Sequence, residues 1–355
     1  MSSTRTGDRV LRVVQWATGN IGTRSLRAVI EHPTLELVGL YVYADAKAGR
    51  DAGELCGLPP VGVKATRSID DILALEPDCV LYMPQRTEAD DLCRLLDAGI
   101  NVVTTRTEFH LPARMDPALR ERIDAACTRG GASIHSTGSS PGFITEAVPL
   151  ALLSIQRRLD RLHIHEFADM RSRNSPEMLF DLMGFGRAPN PQADAGRALH
   201  LRHAFGPSLQ AVAEAVGLAF DDIEAHGEVA LARRDTRIAA GEVKAGTVAA
   251  QRATVNGLRN GKPLIGFTAN WFVTTELDRD WDLRGDGWRL QLDGDAPLEL
   301  DLRFTVAPEH KAATTPGYTA HRAVNAVAYV CAAAPGIRLS SELPAFIPDL
   351  RRSGG

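Results

Sequence analysis

The segment Trp16-Ala17-Thr18-Gly19-Asn20-Ile21-Gly22 joins a β-rich apolar run, Leu11 to Gln15, to a helical stretch carrying Leu26, Val29 and Ile30. Strand, glycine turn and helix in that order make a cradle for a diphosphate. Gly19 lets the main chain approach the phosphates, Gly22 lets helix and strand pack closely, and amides around Thr18, Asn20 and Ile21 face the negative charge. Ala17 stands where the usual fingerprint has its first glycine. The competing reading is a strand-to-helix turn that uses glycine for steric reasons alone. The second strand ends Tyr41-Val42-Tyr43-Ala44-Asp45, with no carboxylate where the hydroxyls of an adenosine ribose would be held. Asp45 falls late, Lys47 and Arg50 follow, and Arg24 lies on the first helix, so a 2′-phosphate is accommodated and NADP is favoured over NAD. Solvated surface charge is the alternative.

A second candidate is Glu108, in Asn-Val-Val-Thr-Thr-Arg-Thr-Glu-Phe-His directly after the fifth strand. That places it at the carboxyl edge of a parallel sheet, where ligands of such sheets bind. A carboxylate there can act as general acid and base, and burial beside Phe109 would tune its pKa. Its alternative is a cap on a first helical turn. Met83 and Pro84 after the fourth strand, Thr105 after the fifth and Gly138 after the sixth lie along the same edge, beside Tyr43, as further cofactor contacts; for Gly138 a plain hinge is the alternative. His163 and His165 flank Ile164 and point to one face of a strand, yet no further ligand is placed, so no metal is assigned. Serine-hydrolase and zinc readings are set aside.

These residues need a scaffold. From Val10 to about Thr137, short β-rich runs alternate with amphipathic helical stretches, the rhythm of a parallel sheet. The strands are expected at Leu11 to Gln15, Leu35 to Tyr43, Val61 to Val63 (the weakest), Cys79 to Met83, Asn101 to Thr104 and Ser133 to His135, with helices near 22–31, 69–75, 89–98 and 117–129. A long helix is expected after Pro141-Gly142, with Phe143 on its apolar stripe. Strands of alternating polarity then follow, interrupted by helices near 176–183 and 195–216, with a hairpin turn within Asn256 to Gly261. The expected fold class is α/β: an N-terminal Rossmann, doubly wound parallel sheet plus a C-terminal α+β domain with a mainly antiparallel sheet. Residues 1–140, completed by an apolar helix at 317–335, form the dinucleotide-binding domain; 141–316 form the substrate-binding and dimerisation domain; 336–355 are a tail.

Composition narrows the partners. The 355 residues are 44% hydrophobic and 24% charged, enough apolar surface for two cores. A net charge of −4 with interspersed signs supplies no basic face for nucleic acid. Five scattered cysteines suggest reduced thiols and a cytoplasmic setting, and no run is long and apolar enough to span a membrane.

Several segments together resemble the native amine dehydrogenases and 2,4-diaminopentanoate dehydrogenases, distant relatives of dihydrodipicolinate reductase. They are Ala-Thr-Gly-Asn-Ile-Gly at 17–22, Gly49-Arg50-Asp51-Ala52-Gly53-Glu54-Leu55, Gly138-Ser139-Ser140-Pro141-Gly142-Phe143, Met183-Gly184-Phe185-Gly186, and Ala320-His321-Arg322-Ala323-Val324-Asn325-Ala326 with Ala334-Pro335-Gly336. The resemblance implies reductive amination of small aldehydes or ketones with ammonia by NAD(P)H, the reverse oxidation of primary amines, and a homodimer. It implies that Glu108 is the catalytic glutamate, handling ammonium and protons, and that Asn325 meets the nicotinamide carboxamide, with a backbone partner as the alternative. Phe143, Phe167, Met178, Phe180, Met183 and Trp271 are the expected substrate pocket, suited to apolar carbonyl compounds or monoamines. A diaminopentanoate or other amino-acid-like substrate, and a non-catalytic dinucleotide sensor, are the alternatives.

Overall fold

The computed structural model describes residues 9–351. It divides into two compact units, one running to Phe143 and resuming at Thr315, the other Ile144–Thr314.

The first unit alternates β1 (Leu11–Trp16), α1 (Asn20–Ile30), β2 (Leu35–Tyr41), α2 (Ala52–Leu55), β3 (Ala65–Thr66), α3 (Ile69–Ala74), β4 (Cys79–Tyr82), α4 (Ala89–Asp97), β5 (Asn101–Thr104), α5 (Pro117–Gly130) and β6 (Ser133–Ser136). The strands pair in parallel in the order β3-β2-β1-β4-β5-β6. Every residue of β4 is buried, as covering of both faces requires. Local signals explain the helix limits. Asp116 caps α5 by accepting from the Leu119 amide, Pro117 opens it, and Gly131 closes it at φ +68. Because β1 has β2 on one side and β4 on the other, the strand order reverses beside it, and the carboxyl ends of β1 and β4 frame a crevice.

One expected strand is displaced. At Val61 to Val63 the chain is a loop, because the Asp51 carboxylate takes the amides of Val61 (2.8 Å) and Gly62 (2.9 Å), and Gly62 stands at φ +84. The third strand is Ala65–Thr66 instead. The helix expected after Gly142 is present: past the non-helical Ser140, Pro141 and Gly142, the last at φ +117, the chain is helical from Phe143 and continues into α6 (Val148–Leu153).

The second unit continues with β7 (Leu159–Asp169), α7 (Pro191–Ala215), β8 (Asp222–Leu231), the small hairpin β9 (Thr236–Ile238) and β10 (Gly241–Val243), β11 (Val248–Arg259), β12 (Lys262–Phe272), β13 (Gly287–Gly294) and β14 (Leu298–Arg303). Its main sheet runs β14-β13-β7-β12-β11-β8, antiparallel except where β7 meets β12 in parallel. The hairpin turn is Asn260-Gly261, both at positive φ, whereas Asn256 and Gly257 lie inside β11. The α7 residues Leu201, Phe205, Leu209 and Val212 bury against Val255, Ile265 and Phe267, with the Phe205 and Phe267 rings stacked at 4.1 Å. Another face of this sheet carries His163, His165, Thr254, Thr268 and Arg289. Burial is the chief cause that pushes the His163 imidazole down to about 3 and His165 to about 4, so both are neutral at neutral pH.

The helix expected at 317–335 begins earlier, as α8 (Lys311–Cys331), with Pro316 inside it. Its stripe of Ala323, Val324, Ala326, Val327 and Val330 buries against Val13, Leu81 and Val103 of the parallel sheet. The segment read as a tail supplies a seventh strand, β15 (Gly336–Arg338), parallel to β6 with Gly336 opposite Ser133. All five cysteines are free thiols.

Candidate functional site at the carboxyl edge of the parallel sheet

The turn after β1 has the shape its glycines suggest. Ala17 takes φ +76, the left-handed conformation that glycine adopts at no cost and alanine at roughly 1–2 kcal/mol. Its carbonyl accepts from the buried Gln15 Nε2 at 3.0 Å, an amide that also reaches the carbonyls of Trp16 and, across the crevice, Leu81. A Cβ on Gly22 would lie 2.2 Å from the Ala17 carbonyl oxygen, so the helix approaches the strand as closely as only glycine allows. Around Gly19, at φ −73, nothing lies within 4 Å of a Cβ position, and α1 begins with no acidic residue and no side-chain cap. The first amides of α1 are thus left for a ligand.

Beside this turn is a cavity of about 380 Å³ lined by Ala17, Thr18, Gly19, Tyr43, Ala44, Lys47, Met83, Pro84, Gln85, Arg86 and Glu88. Lys47 Nζ donates to the Thr18 carbonyl (3.1 Å) and hydroxyl (2.9 Å), which holds its charge at the turn. Tyr43 is fixed by the Trp16 indole, whose Nε1 donates to its hydroxyl at 3.0 Å; Trp16 in turn stacks on Tyr41 at 3.7 Å. Asp45 is not part of the lining and pairs with Arg67. The Arg86 guanidinium makes no hydrogen bond or ion pair with any described residue. The cavity therefore brings together Thr18, Gly19, Tyr43, Lys47, Met83 and Pro84 of the expected cofactor residues. Asn20, Ile21 and Gly22 form the adjoining first turn of α1. Arg24 bonds back to Asn20, Arg50 is exposed outside the lining, and Thr105 and Gly138 follow β5 and β6. The sequence reading missed Gln85, Arg86 and Glu88; their signal was position, in the loop directly after β4 at the reversal of strand order.

Glu108 sits on a short turn, Thr107–His110, just past β5. Its Oε1 accepts from Arg106 Nη2 (2.7 Å) and from the Thr87 hydroxyl (2.9 Å), whereas Oε2 is buried with no partner among the described residues. Arg106 is the organiser. It also donates through Nε to Thr87 (3.2 Å) and through Nη1 to the Gln85 carbonyl (2.7 Å), tying the carboxylate to the cavity wall. Burial alone would raise the Glu108 pKa and is the largest single influence. The Arg106 hydrogen bond and charge, a backbone amide and Thr87 together outweigh it, so the carboxyl lies below its usual range. The expectation that burial beside Phe109 sets this pKa is corrected: an adjacent guanidinium does. Replacing Arg106 with leucine leaves burial opposed only by the backbone amide and Thr87, so the acidic limb of any activity that needs the Glu108 anion should move to higher pH, as a pH–rate profile would show. A limb at the same pH in both proteins would contradict this account.

Asn325 is half-buried and makes no hydrogen bond to a described residue; by helical spacing it lies across α8 from the apolar stripe rather than within it. Phe167, Met178, Phe180, Met183 and Trp271 gather in one apolar cluster of the second unit, with Phe185 and Phe272. Phe143 belongs to the first unit, where Arg322 lies over its ring at 5.9 Å. His163 Nε2 and the Thr268 hydroxyl are 2.8 Å apart, in a chain that continues to Thr254, and no group of three or more potential metal ligands occurs among the described residues. Gly138-Ser139-Ser140-Pro141-Gly142 has the letters of a G-x-S-x-G nucleophile elbow, which the sequence reading overlooked. The structure removes that reading, because Ser140 is extended (φ −156) and its hydroxyl is buried without a base beside it.

Residues 198–351 match the family model of the 2,4-diaminopentanoate dehydrogenase C-terminal domain. The chain is 29% identical to an amine dehydrogenase of Streptomyces virginiae, over 97% of this chain and 99% of that protein. A stretch of 117 residues, 33% of this chain and 41% of the relative, is 30% identical to a 4-hydroxy-tetrahydrodipicolinate reductase of Anaeromyxobacter sp. (strain Fw109-5). Among solved structures, the amine dehydrogenase from Mycobacterium smegmatis shares the fold, with a TM-score of 0.74 at 21% identity, covering 97% of this chain and 99% of that one.

Proposed function

We propose that this chain, which resembles amine dehydrogenase along nearly its whole length and matches a 2,4-diaminopentanoate dehydrogenase domain in its C-terminal part, is an NAD(P)-dependent amine dehydrogenase. In the reductive direction, ammonia and a small aldehyde or ketone lose water to give an imine. The imine carbon then accepts a hydride and its nitrogen a proton. The single observation that carries this reading is Glu108: an ionised carboxylate with one buried oxygen unclaimed among the described residues, past the end of β5 and tied through Arg106 to the wall of the cavity beside the glycine turn.

The cofactor fits the residues present. The open space over Gly19, the close approach at Gly22 and the uncapped start of α1 suit a diphosphate, and a nicotinamide dinucleotide supplies the hydride when bound. The rest falls to the chain. Glu108 holds ammonium as its counter-charge, takes the proton released as ammonia attacks the carbonyl, and returns one to the departing hydroxyl. Arg106 and Thr87 keep one carboxylate oxygen occupied so that the other faces the chemistry. The apolar cluster of Phe167, Met178, Phe180, Met183 and Trp271 within the second unit is the reading for the substrate pocket, which excludes water and favours aliphatic groups. Asn325, whose side chain makes no hydrogen bond among the described residues, is the reading for a contact to the carboxamide.

NADP is preferred over NAD in this reading. Two cations, Lys47 and Arg86, line the cavity against one carboxylate, Glu88, while Asp45 is occupied by Arg67. Lys47→Ala should weaken NADPH by about tenfold or more, the worth of one charge-assisted hydrogen bond, and NADH much less. Equal losses for both coenzymes in calorimetry would remove the 2′-phosphate role. The working assembly is a homodimer through the six-stranded sheet, on whose polar face His163 Nδ1 and Asn256 Oδ1 are buried without partners around Gly266. Light scattering reads its mass directly.

The decisive assay mixes purified protein, NADPH or NADH, ammonia and a panel of small aldehydes and ketones. Ammonia-dependent oxidation of the coenzyme is the expected result. Coenzyme binding with no turnover across the panel would leave a dinucleotide sensor in its place.

A further inference from the structure

Thr137 follows β6 directly, and its amide donates to the Thr104 carbonyl at 2.9 Å, which sets it level with Thr105 at the carboxyl edge of the sheet. It is 1% exposed, yet its hydroxyl has no hydrogen-bond partner among the described residues. Three residues on, the Ser140 hydroxyl is buried in the same condition. The Thr137 hydroxyl faces Gly142, where a Cβ would stand 3.0 Å from it and close the space above it. Gly142 adopts φ +117, a conformation that itself disfavours any side chain. An unpaired buried hydroxyl destabilises a fold, and valine would fill the same volume without that cost. A polar group that the described residues do not satisfy thus lies against a backbone position that excludes a side chain.

The charge around this hydroxyl indicates what would satisfy it. From Ser136 to Phe143 the chain is Ser-Thr-Gly-Ser-Ser-Pro-Gly-Phe, with no ionisable side chain. The cations Lys47 and Arg86 and the start of α1 lie instead at the ends of β2, β4 and β1. A ligand along this edge therefore meets positive charge at one end and neutral hydroxyls, each able to donate and accept, at the other. A dinucleotide has that polarity: phosphates in one half, an uncharged carboxamide with a C=O and an NH2 in the other.

Resting on the cofactor reading above, we infer that the Thr137 hydroxyl, with Ser140 beside it, anchors the carboxamide of the nicotinamide ring and so sets which way the ring faces. Thr137 is on this account a positioning residue for hydride transfer.

The test compares wild type, Thr137→Val and Thr137→Ser by calorimetry with two probes: the reduced dinucleotide and the matching ADP-ribose fragment, which lacks the nicotinamide. Thr137→Val should weaken the dinucleotide by about tenfold, the worth of one hydrogen bond, and leave the fragment unchanged, with Thr137→Ser restoring most of the loss. Its melting temperature should equal or exceed that of wild type, since the change removes an unsatisfied group. Unchanged dinucleotide affinity in Thr137→Val, or an equal loss for dinucleotide and fragment, would overturn the assignment. Wild type that binds neither probe would instead overturn the cofactor reading itself.

Discussion

Glu108→Gln should lower kcat for ammonia-dependent reduction by about 10²–10⁴-fold, the range for loss of a general acid–base group, and leave dinucleotide affinity within about twofold. The replacement is nearly isosteric. Its amide oxygen can still accept from Arg106 and Thr87, the two donors on Oε1 (2.7 and 2.9 Å), so the turn at 107–110 keeps its anchor. What disappears is the negative charge, and with it the counter-ion for ammonium and the proton carrier. Because the guanidinium of Arg106 holds the native carboxyl below its usual range, the group is an anion throughout the neutral range, and its stabilising interactions are lost only as pH falls through that lowered value. Single-turnover kinetics with NADPH preloaded would separate this effect from binding. A variant that turns over at the wild-type rate would strip Glu108 of its role.

The second large effect is steric. Gly22→Ala places a methyl 2.2 Å from the Ala17 oxygen and 3.0 Å from its carbonyl carbon, and neither is a side chain that can swing away. Either α1 moves off the sheet or the turn at Ala17, already at φ +76, is driven further from its minimum. Overpacking of this kind costs about 1–3 kcal/mol in stability. The displaced amides should cost more than tenfold in dinucleotide affinity, the range in which oriented donors to a charge act. Gly19→Ala is the control, since it has φ −73 and open space around its Cβ. That variant should melt with wild type and still bind dinucleotide poorly, because the new methyl occupies room reserved for the phosphates. A Gly22→Ala protein that melts and binds as wild type does would show that the turn has slack the structure denies it.

Much of the site was legible because it depends on short-range order. The strand Asn101–Thr104 announces itself in a β-branched run, Glu108 follows within four residues, and the glycine turn sits between a strand and an amphipathic helix. What stayed hidden depends on partners distant in sequence. Arg106 gains its role from Thr87 and Gln85, about twenty positions earlier, and so reverses the pKa shift expected from burial. Val61 to Val63 has strand composition, but Asp51 claims its amides. Asn256-Gly257 has turn composition; the bend falls instead at Asn260-Gly261, where the pairing of β11 with β12 ends.

The pairing of Gly336–Arg338 with β6 has a consequence for biosynthesis. When the ribosome has delivered residues 9–143, β6 is the outermost strand of a six-stranded sheet whose edge is unprotected, and the helix that will cover Val13, Leu81 and Val103 has not been translated. Residues 144–314 emerge next and hold their own apolar core, so the second unit is complete first although it begins second. Maturation of the nucleotide-binding half thus waits for the chain to reach Arg338, and a product released early would expose a sticky β6 margin to its neighbours.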